Sequence, residues 1–259
     1  MLDVQSRQDS RGIALAEAGI AALKFPALFE LEPGATQATV ATARVSVALP
    51  ASDKGTHMSR FVELVSEPDL VFSVSSNAAL AERVRERLAA HTAEVEIEAP
   101  VFNRRAAPVT GALGPIDYVC GFRCRLGAPG DLHEITVRVP VTTLCPCSKE
   151  ISDYGAHNQR GTIHLNATVA SPAAHPSVQA LITLAEACGS APLYSVLKRP
   201  DERHVTMQAY DQPKFVEDVA RDVAARLIED RRIQSFDVRV VNDESIHNHQ
   251  AYARAVWAR

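Results

Sequence analysis

Strands and helices recur in two rounds along this chain, and this recurrence limits the possible folds more than any other feature. In the first round, residues 36–49 alternate and are rich in Val and Thr, which predicts a strand. Helices are predicted at 57–67 and at 77–93, the second with an Asn at its start. Three more strands are predicted in EVEIEAPVF, DYVCGFRCRL and HEITVRVPV.

The second round repeats this order in the carboxyl-terminal half. Residues 161–170 and 235–243 are predicted strands, and residues 175–189 and 213–232 are predicted helices. The closing AYARAVWA is predicted to be another strand. Antiparallel hairpins account for this order better than parallel crossovers, so the expected fold class is α+β, with paired helices on one face of each antiparallel sheet.

Composition narrows the class of protein. The 259 residues suffice for one large domain or two modest ones, and the net charge of −4 disfavours a nucleic-acid partner. No run approaches the roughly twenty apolar residues of a membrane span. The apolar run 13–25 contains Glu17 and Lys24 and has no basic segment before it, so it is not expected to be a signal peptide.

The five cysteines indicate the cellular compartment of the protein and do not indicate a disulfide framework. An odd number of scattered cysteines suits a reducing compartment better than a set of disulfides, so a cytoplasmic protein is expected. Cys120, Cys124 and Cys188 are interpreted as structural residues.

The segment Pro140–Gly161 concentrates reactive side chains. Pro146 favours an extended backbone at Cys145, and in a strand Cys145 and Cys147 would project from the same face. A turn at Gly155 would fold His157 back towards the thiols. The segment is therefore a candidate metal or nucleophile site. The alternative is a pair of half-buried thiols beside a surface loop.

Further blocks extend this segment to a pattern that spans nearly the whole chain. They are DVQSRQDSRGI near the amino terminus, KGTHMSRF at 54–61, PVTTLCPCSKEISDYGAHNQRG at 140–161, LKRPDERHVT at 197–206, PKFVEDVAR at 213–221 and SIHNHQAYA at 245–253. In content and order these blocks resemble the prokaryotic type IB GTP cyclohydrolases.

The resemblance implies an architecture. It predicts two tandem tunnelling-fold modules, at 1–140 and 141–259, which assemble through their sheets into an oligomeric barrel. The second module is expected to carry most of the active site. It also implies a homo-oligomer, predicted to be a tetramer, with active sites at subunit interfaces. Half-exposed sheets need such covering. GTP is then the substrate, and no nucleic acid or membrane is an expected partner.

The resemblance also implies a reaction and a metal. The reaction is hydrolysis of GTP at C8 to 7,8-dihydroneopterin triphosphate and formate, the first step of tetrahydrofolate biosynthesis. The implied metal ligands are Cys145, His157 and Glu202, a mixed set that suits zinc or manganese. Judged from the residues alone, Glu202 is better interpreted as a capping or ion-pair acid beside Arg199 and Arg203. Which cysteine binds metal stays open. We assign Cys145 as the ligand, because it keeps the wider spacing to His157, and Cys147 as the substrate-side thiol.

The remaining implied roles concern the substrate. A carboxylate can accept both the N1–H and the amino group of guanine, and Glu217 holds that position. His247 and His249 are the candidate general acid–base pair, expected two apart in an extended stretch. Cys145 and Cys147 complete the predicted catalytic set. Other candidate substrate contacts are Thr143, Ser148, Lys149, Arg160 and Arg199.

Two other classes of function compete with this interpretation. One is another tunnelling-fold enzyme acting on a pterin or deazaguanine, such as a nitrile reductase, which would use a cysteine nucleophile and NADPH without a metal. The other is a non-enzymatic zinc-binding module. Structural zinc usually takes four Cys or His ligands, and this segment offers only three.

Overall fold

The computed structural model describes residue 5, residues 7–68 and residues 70–259. Within these residues, ten strands lie at Leu15–Glu32 (β1), Ala35–Leu49 (β2), Val71–Phe72 (β3), Ala93–Ala106 (β4), Leu113–Leu126 (β5), Leu132–Leu144 (β6), Asn158–Val169 (β7), Ala191–Pro192 (β8), Ile233–Asp243 (β9) and Gln250–Ala258 (β10). The helices of the described part of the chain are six: Met58–Val65 (α1), Val74–Arg87 (α2), Pro146–Ile151 (α3), Val178–Glu186 (α4), Arg199–Asp211 (α5) and Val216–Glu229 (α6). The block DVQSRQDSRGI spans residues 3–13, and its residues 3, 4 and 6 lie outside the described residues.

The first compact unit spans Met1–Pro100, Gly121–Ile135 and Val169–His175. In it β1 pairs with β2 antiparallel and with β3 parallel, and β2 pairs with β4 antiparallel. Helices α1 and α2 bury one face each. The core includes Phe29, which stacks on Phe122 with ring centroids 4.7 Å apart.

The second compact unit spans Val101–Cys120, Thr136–Thr168 and Pro176–Arg259. Its strands follow the order β10-β9-β7-β6-β5-β4, with the short β8 paired to β6. Helix α6 packs against β9 and β10, and α4 contacts α6. All the candidate site residues belong to this unit.

The predicted fold class is confirmed, since a mixed α+β chain with mainly antiparallel pairing is what the structure contains. Strands β4, β5 and β6 each contribute residues to both units. The division into tunnelling-fold modules at 1–140 and 141–259 stays a prediction. No helix of the described residues is long and apolar enough to cross a membrane.

Several elements differ from the sequence-based expectation. Helix α2 begins at Val74, capped by Ser73, so the predicted start at Asn77 is wrong. Asn77 lies inside the helix and is buried, and its amide donates to the carbonyls of Val95 and Phe122. Strand β1 had no predicted counterpart. Its Ala, Leu and Glu residues favour helix, but pairing with β2 along most of its length overrides that preference.

Candidate active site

The chain does not continue as a strand through the two cysteines. Cys145 is the N-cap of α3, with Pro146 at the start of the helix, and Ser148 donates its backbone N–H to the Cys145 sulfur at 3.4 Å. Cys147 lies within the helix and is exposed. The expectation of two sulfurs on one strand face is therefore wrong. The physical reason is that proline, which lacks an N–H, fits the first turn of a helix.

Cys145 and His157 are nevertheless brought side by side. The Cys145 N–H donates to the His157 carbonyl at 3.1 Å. The Ser148 hydroxyl donates to the Cys145 carbonyl and accepts from the His157 N–H, both at 3.1 Å. Gly155, with a φ of 66°, provides the predicted turn between them. The Ser148 hydroxyl thus closes the loop that holds the two candidate ligands together.

A small apolar cluster joins α5 to this loop. Its members are Leu144, Ala156, Ala191, Val205 and Ala209. Leu144 and Ala156, the residues just before Cys145 and His157, belong to it, so α5 packs against the residues that precede the pair. Glu202 lies three and seven positions before the two α5 members and therefore shares the helix face that packs there.

The side chains of Cys145, His157 and Glu202 match a divalent cation in donor chemistry, but the three do not converge on one point. A thiol, an imidazole and a carboxylate are ligands that zinc and manganese both accept. Among the described residues, no three His, Cys, Asp or Glu side chains stand close enough to hold a metal ion. The structure thus pairs Cys145 with His157 and presents Glu202 on the helix that packs beside them.

Asp201 fixes the start of α5. Its fully buried carboxylate accepts the N–H groups of Val109, Thr110 and Lys198 at 2.8–2.9 Å and the Thr110 hydroxyl at 2.6 Å. Burial alone would raise the pKa of Asp201, but the hydrogen bonds, led by that of the Thr110 hydroxyl, outweigh burial and hold this pKa well below its usual range. The turn after β4 is thereby tied to the residue next to Glu202.

The Asp201→Asn variant is expected to lower the free energy of unfolding, and the loss should depend on pH. In the unfolded chain the pKa of this carboxyl is about 3.9, and in the folded chain the pKa is lower. The carboxylate's contribution is therefore complete above the unfolded value and disappears as pH falls towards the folded one. Urea unfolding at about pH 7 and about pH 3 should show the gap between wild type and variant narrowing in acid. Asp211→Asn, at the exposed end of α5, is the control. An unchanged gap would contradict the role of the charge.

The start of α6 lies next to the end of β6. The Lys214 N–H donates to the Leu144 carbonyl at 3.0 Å. Asp218 accepts the N–H of Phe215, the N-cap residue, at 3.0 Å. Glu217 is exposed in the first turn, where the partial positive charge of a helix amino terminus favours a carboxylate.

The two candidate acid–base histidines sit in a loop. Residues 244–249 form a loop between β9 and β10, with bends at 245–249, so the expected extended stretch is wrong. The rings of His247 and His249 still lie together, stacked with centroids 5.1 Å apart, and both residues are exposed. The Ser245 hydroxyl of the same loop lies 3.5 Å from His157 Nδ1. The loop therefore adjoins the candidate ligand pair.

The candidate substrate contacts differ in availability. Lys149 Nζ donates to the Tyr210 backbone carbonyl at 2.5 Å and lies 4.1 Å from the centre of the Tyr210 ring. Arg160 and Arg199 are exposed. Thr143 is fully buried and accepts a hydrogen bond from Gln159, so the suggestion that it contacts substrate is wrong.

The other thiols lie in a different environment. Cys120, Cys124 and Cys188 are buried, whereas Cys145 is partly exposed. Burial raises the pKa of Cys124 to about 12, with smaller contributions from Asp131 and Glu94. Such a thiol remains protonated and unreactive at neutral pH.

Sequence reasoning missed three residues that shape the site: Gln159, Asp201 and Ser245. Gln159 carries a detectable signal, because it is the first core-facing position of the alternating strand β7 and is polar. Asp201 is an acidic residue in the first turn of α5, three positions after the N-cap residue Lys198. Ser245 lies within a block that resembles the family but has no distinguishing pattern of its own.

The architecture is shared with solved urate oxidases. The uricase of Arthrobacter globiformis matches with a TM-score of 0.56 at 7% identity, over 94% of this chain and 93% of that chain. The urate oxidase of Bacillus sp. TB-90 matches with a TM-score of 0.55 at 6% identity, over 95% of this chain and 100% of that chain. At these identities the likeness concerns the fold alone, and that fold is the tunnelling fold.

The sequence comparison narrows this class to one family. The model of the family described as type I GTP cyclohydrolase folE2 matches residues 1–253. The GTP cyclohydrolase FolE2 of Halorhodospira halophila is 46% identical over 255 residues, 98% of this chain and 96% of that protein. That of Neisseria gonorrhoeae is 44% identical over 253 residues, 97% of this chain and 96% of that protein. The chain therefore belongs to the type I GTP cyclohydrolase FolE2 family, as its sequence blocks predict.

Proposed function

We propose that this chain hydrolyses GTP at C8 of the guanine and releases formate and 7,8-dihydroneopterin triphosphate. Membership of the family supports the reaction class. The observation that carries the proposal is the Cys145–His157 pair, closed by Ser148 and adjoined by α5, the start of α6 and the 244–249 loop. We place the reaction in the cytoplasm, as the first step of tetrahydrofolate biosynthesis.

A divalent cation, zinc or manganese, is part of the proposal. Cys145, His157 and Glu202 would hold it, and their donor chemistry suits either ion. When bound, such a cation supplies Lewis-acid activation of water near neutral pH. In support, the Cys145 N–H donates to the His157 carbonyl, and Glu202 lies on α5, which packs against the residues just before Cys145 and His157.

The base and the phosphates have separate proposed contacts. Glu217 accepts the guanine N1–H and amino group together, an arrangement that adenine cannot satisfy. Arg160, Arg199, Lys149 and Ser148 are the proposed contacts to the rest of the nucleotide. For Lys149 this requires release from the Tyr210 carbonyl. The triphosphate is retained in the product, so these groups position the substrate and do no phosphate chemistry.

Proton transfer is assigned to His247 and His249, with Cys147 as the thiol beside the reacting carbon. The first hydrolysis opens the five-membered ring at C8, and the second releases C8 as formate. The ribose carbons then rearrange and condense with the freed amine, which expels one water. Two waters enter and one leaves, so the net reaction consumes one water per GTP. Histidine suits these transfers because it titrates near neutral pH.

The proposed assembly is a homo-oligomer, a tetramer, with active sites at subunit interfaces. The exposure of Glu217, His247 and His249 in the isolated chain supports this, because a carboxylate that selects guanine needs a pocket around it.

Removing the metal should abolish turnover reversibly. Protein treated with a strong chelator and desalted should release no formate from GTP, and adding Zn²⁺ or Mn²⁺ should restore the activity. Its far-ultraviolet circular dichroism should not change on chelation, because the cation is assigned to catalysis and not to folding. Loss of helix on chelation would indicate a structural zinc site. Full activity in the metal-free protein would refute the metal assignment.

A further inference from the structure

His157 is held by a buried hydrogen-bonded chain that none of the proposed catalytic steps uses. Its Nδ1 atom lies 2.9 Å from Gln159 Oε1, and Gln159 Nε2 donates to Thr143 Oγ1, also at 2.9 Å. Both distances are those of well-formed hydrogen bonds. The Ser245 hydroxyl is the next group to His157 Nδ1, but at 3.5 Å it is a weaker partner than the amide.

The place of Gln159 in the fold makes this contact rigid. Gln159 begins the core-facing row of β7, which continues through Gly161 and Ile163. Gln159 is only 7% exposed, and Thr143, on the neighbouring strand β6, is fully buried. A polar side chain at such a position must satisfy its hydrogen bonds internally. The two hydrogen bonds that Gln159 makes engage both the oxygen and the nitrogen of its amide.

The amide has a direction that the imidazole must match. An amide nitrogen only donates and an amide oxygen only accepts. With Nε2 committed to Thr143, the oxygen faces His157 Nδ1, and a stable contact requires a proton on that nitrogen. A neutral imidazole protonated at Nδ1 carries its lone pair on Nε2.

We propose that Gln159 is a positioning residue that holds His157 as the Nδ1–H tautomer and leaves Nε2 as the atom that binds the cation. The tautomer rests on the orientation of the Gln159 amide, whereas the role of Nε2 rests on the proposed function. Histidine ligands in metal sites commonly donate their other ring N–H to an oxygen acceptor, which fixes both tautomer and ring orientation. Gln159 supplies that acceptor without adding a negative charge.

The tautomer can be measured in the metal-free protein. Long-range proton–nitrogen NMR spectra of protein labelled with ¹⁵N-histidine distinguish a protonated from an unprotonated ring nitrogen, and a His157→Gln variant identifies the His157 signals. Wild type should show Nδ1 protonated and Nε2 bare. Gln159→Met keeps the length of the side chain and removes the acceptor, so the Nδ1–H preference should be lost. Gln159→Glu, which retains an acceptor, should restore it.

Two results would overturn the proposal: an Nε2–H tautomer in wild type, or an unchanged tautomer in Gln159→Met. The first would mean that the amide is reversed and donates to His157. If Gln159→Met does not fold, Thr143→Val removes the group that orients the amide and should populate the second tautomer. Thr142→Val is its matched control, because alternation turns that side chain to the opposite face of β6.

Zn²⁺ affinity, measured by competition with a coloured chelator, tests the second half of the proposal. Gln159→Met should bind Zn²⁺ about 10–100-fold more weakly than wild type, the range typical of lost supporting bonds to a ligand. Gln159→Glu should recover most of that loss. Equal Zn²⁺ affinity in Gln159→Met and wild type would refute the role of Nε2. If wild type bound neither Zn²⁺ nor Mn²⁺, the proposed metal would be refuted, and the tautomer would still be decided by the spectra.

Discussion

Cys145→Ala is expected to reduce formate release from GTP to an undetectable level and to leave the far-ultraviolet circular dichroism unchanged. The sulfur is assigned as a cation ligand, and alanine offers no replacement. Its structural role is small, because among the described residues it accepts one hydrogen bond, from the Ser148 N–H at 3.4 Å. The measurement is formate release at saturating GTP and metal, with Zn²⁺ binding determined on the same samples.

Two further variants separate the role of Cys145 from general effects of removing a thiol. Cys145→Ser should also lose activity. Because its oxygen can still cap α3, that loss cannot be attributed to a destabilised helix. Cys188→Ala removes a buried thiol outside the site and should remain active. Substantial turnover in Cys145→Ala would refute the ligand assignment, and Cys147 would then take its place.

Glu217→Gln is expected to weaken GTP binding by about 1.5–3 kcal/mol, the usual contribution of a hydrogen bond to a charged group. The glutamine amide presents one donor where guanine also presents a donor, so one of the two bonds is lost and the other is weakened. The change conserves size. Equilibrium binding of GTP to the Cys145→Ala protein, with and without the Glu217 substitution, measures the effect without turnover.

Glu229→Gln at the other end of α6 provides the matched control, since it makes the same chemical change on the same helix. It should bind GTP as wild type does. Normal GTP affinity in Glu217→Gln would place that carboxylate outside the base pocket. The selectivity for GTP over ATP should fall in Glu217→Gln only.

The elements that could be predicted from sequence are those whose burial alternates or has a clear helical period. Strands β2, β7 and β9 follow the predicted ranges closely, because one face of each is buried and the other is not. Helix α5 has no such signal. Its buried positions are only Asp201 and Ala209, so no apolar stripe marks it.

The candidate site divides in the same way. The pairing of Cys145 with His157 could be anticipated, since a Gly-containing turn within one short segment brings them together. The short helix α3 could not, because Pro146 is equally compatible with an extended chain and with the start of a helix. The contact between Ser245 and His157 joins positions 88 residues apart, which no local pattern encodes.

The most direct test of the proposed function is the fate of C8. Metal-loaded protein is incubated with GTP labelled with ¹³C at C8, and the carbon spectrum is followed over time. We expect the label to appear as formate in equal amount to 7,8-dihydroneopterin triphosphate, with no nicotinamide present. Label that stays in intact GTP with both zinc and manganese would contradict the proposed function. NADPH oxidation with a deazaguanine nitrile would then be the reaction to measure.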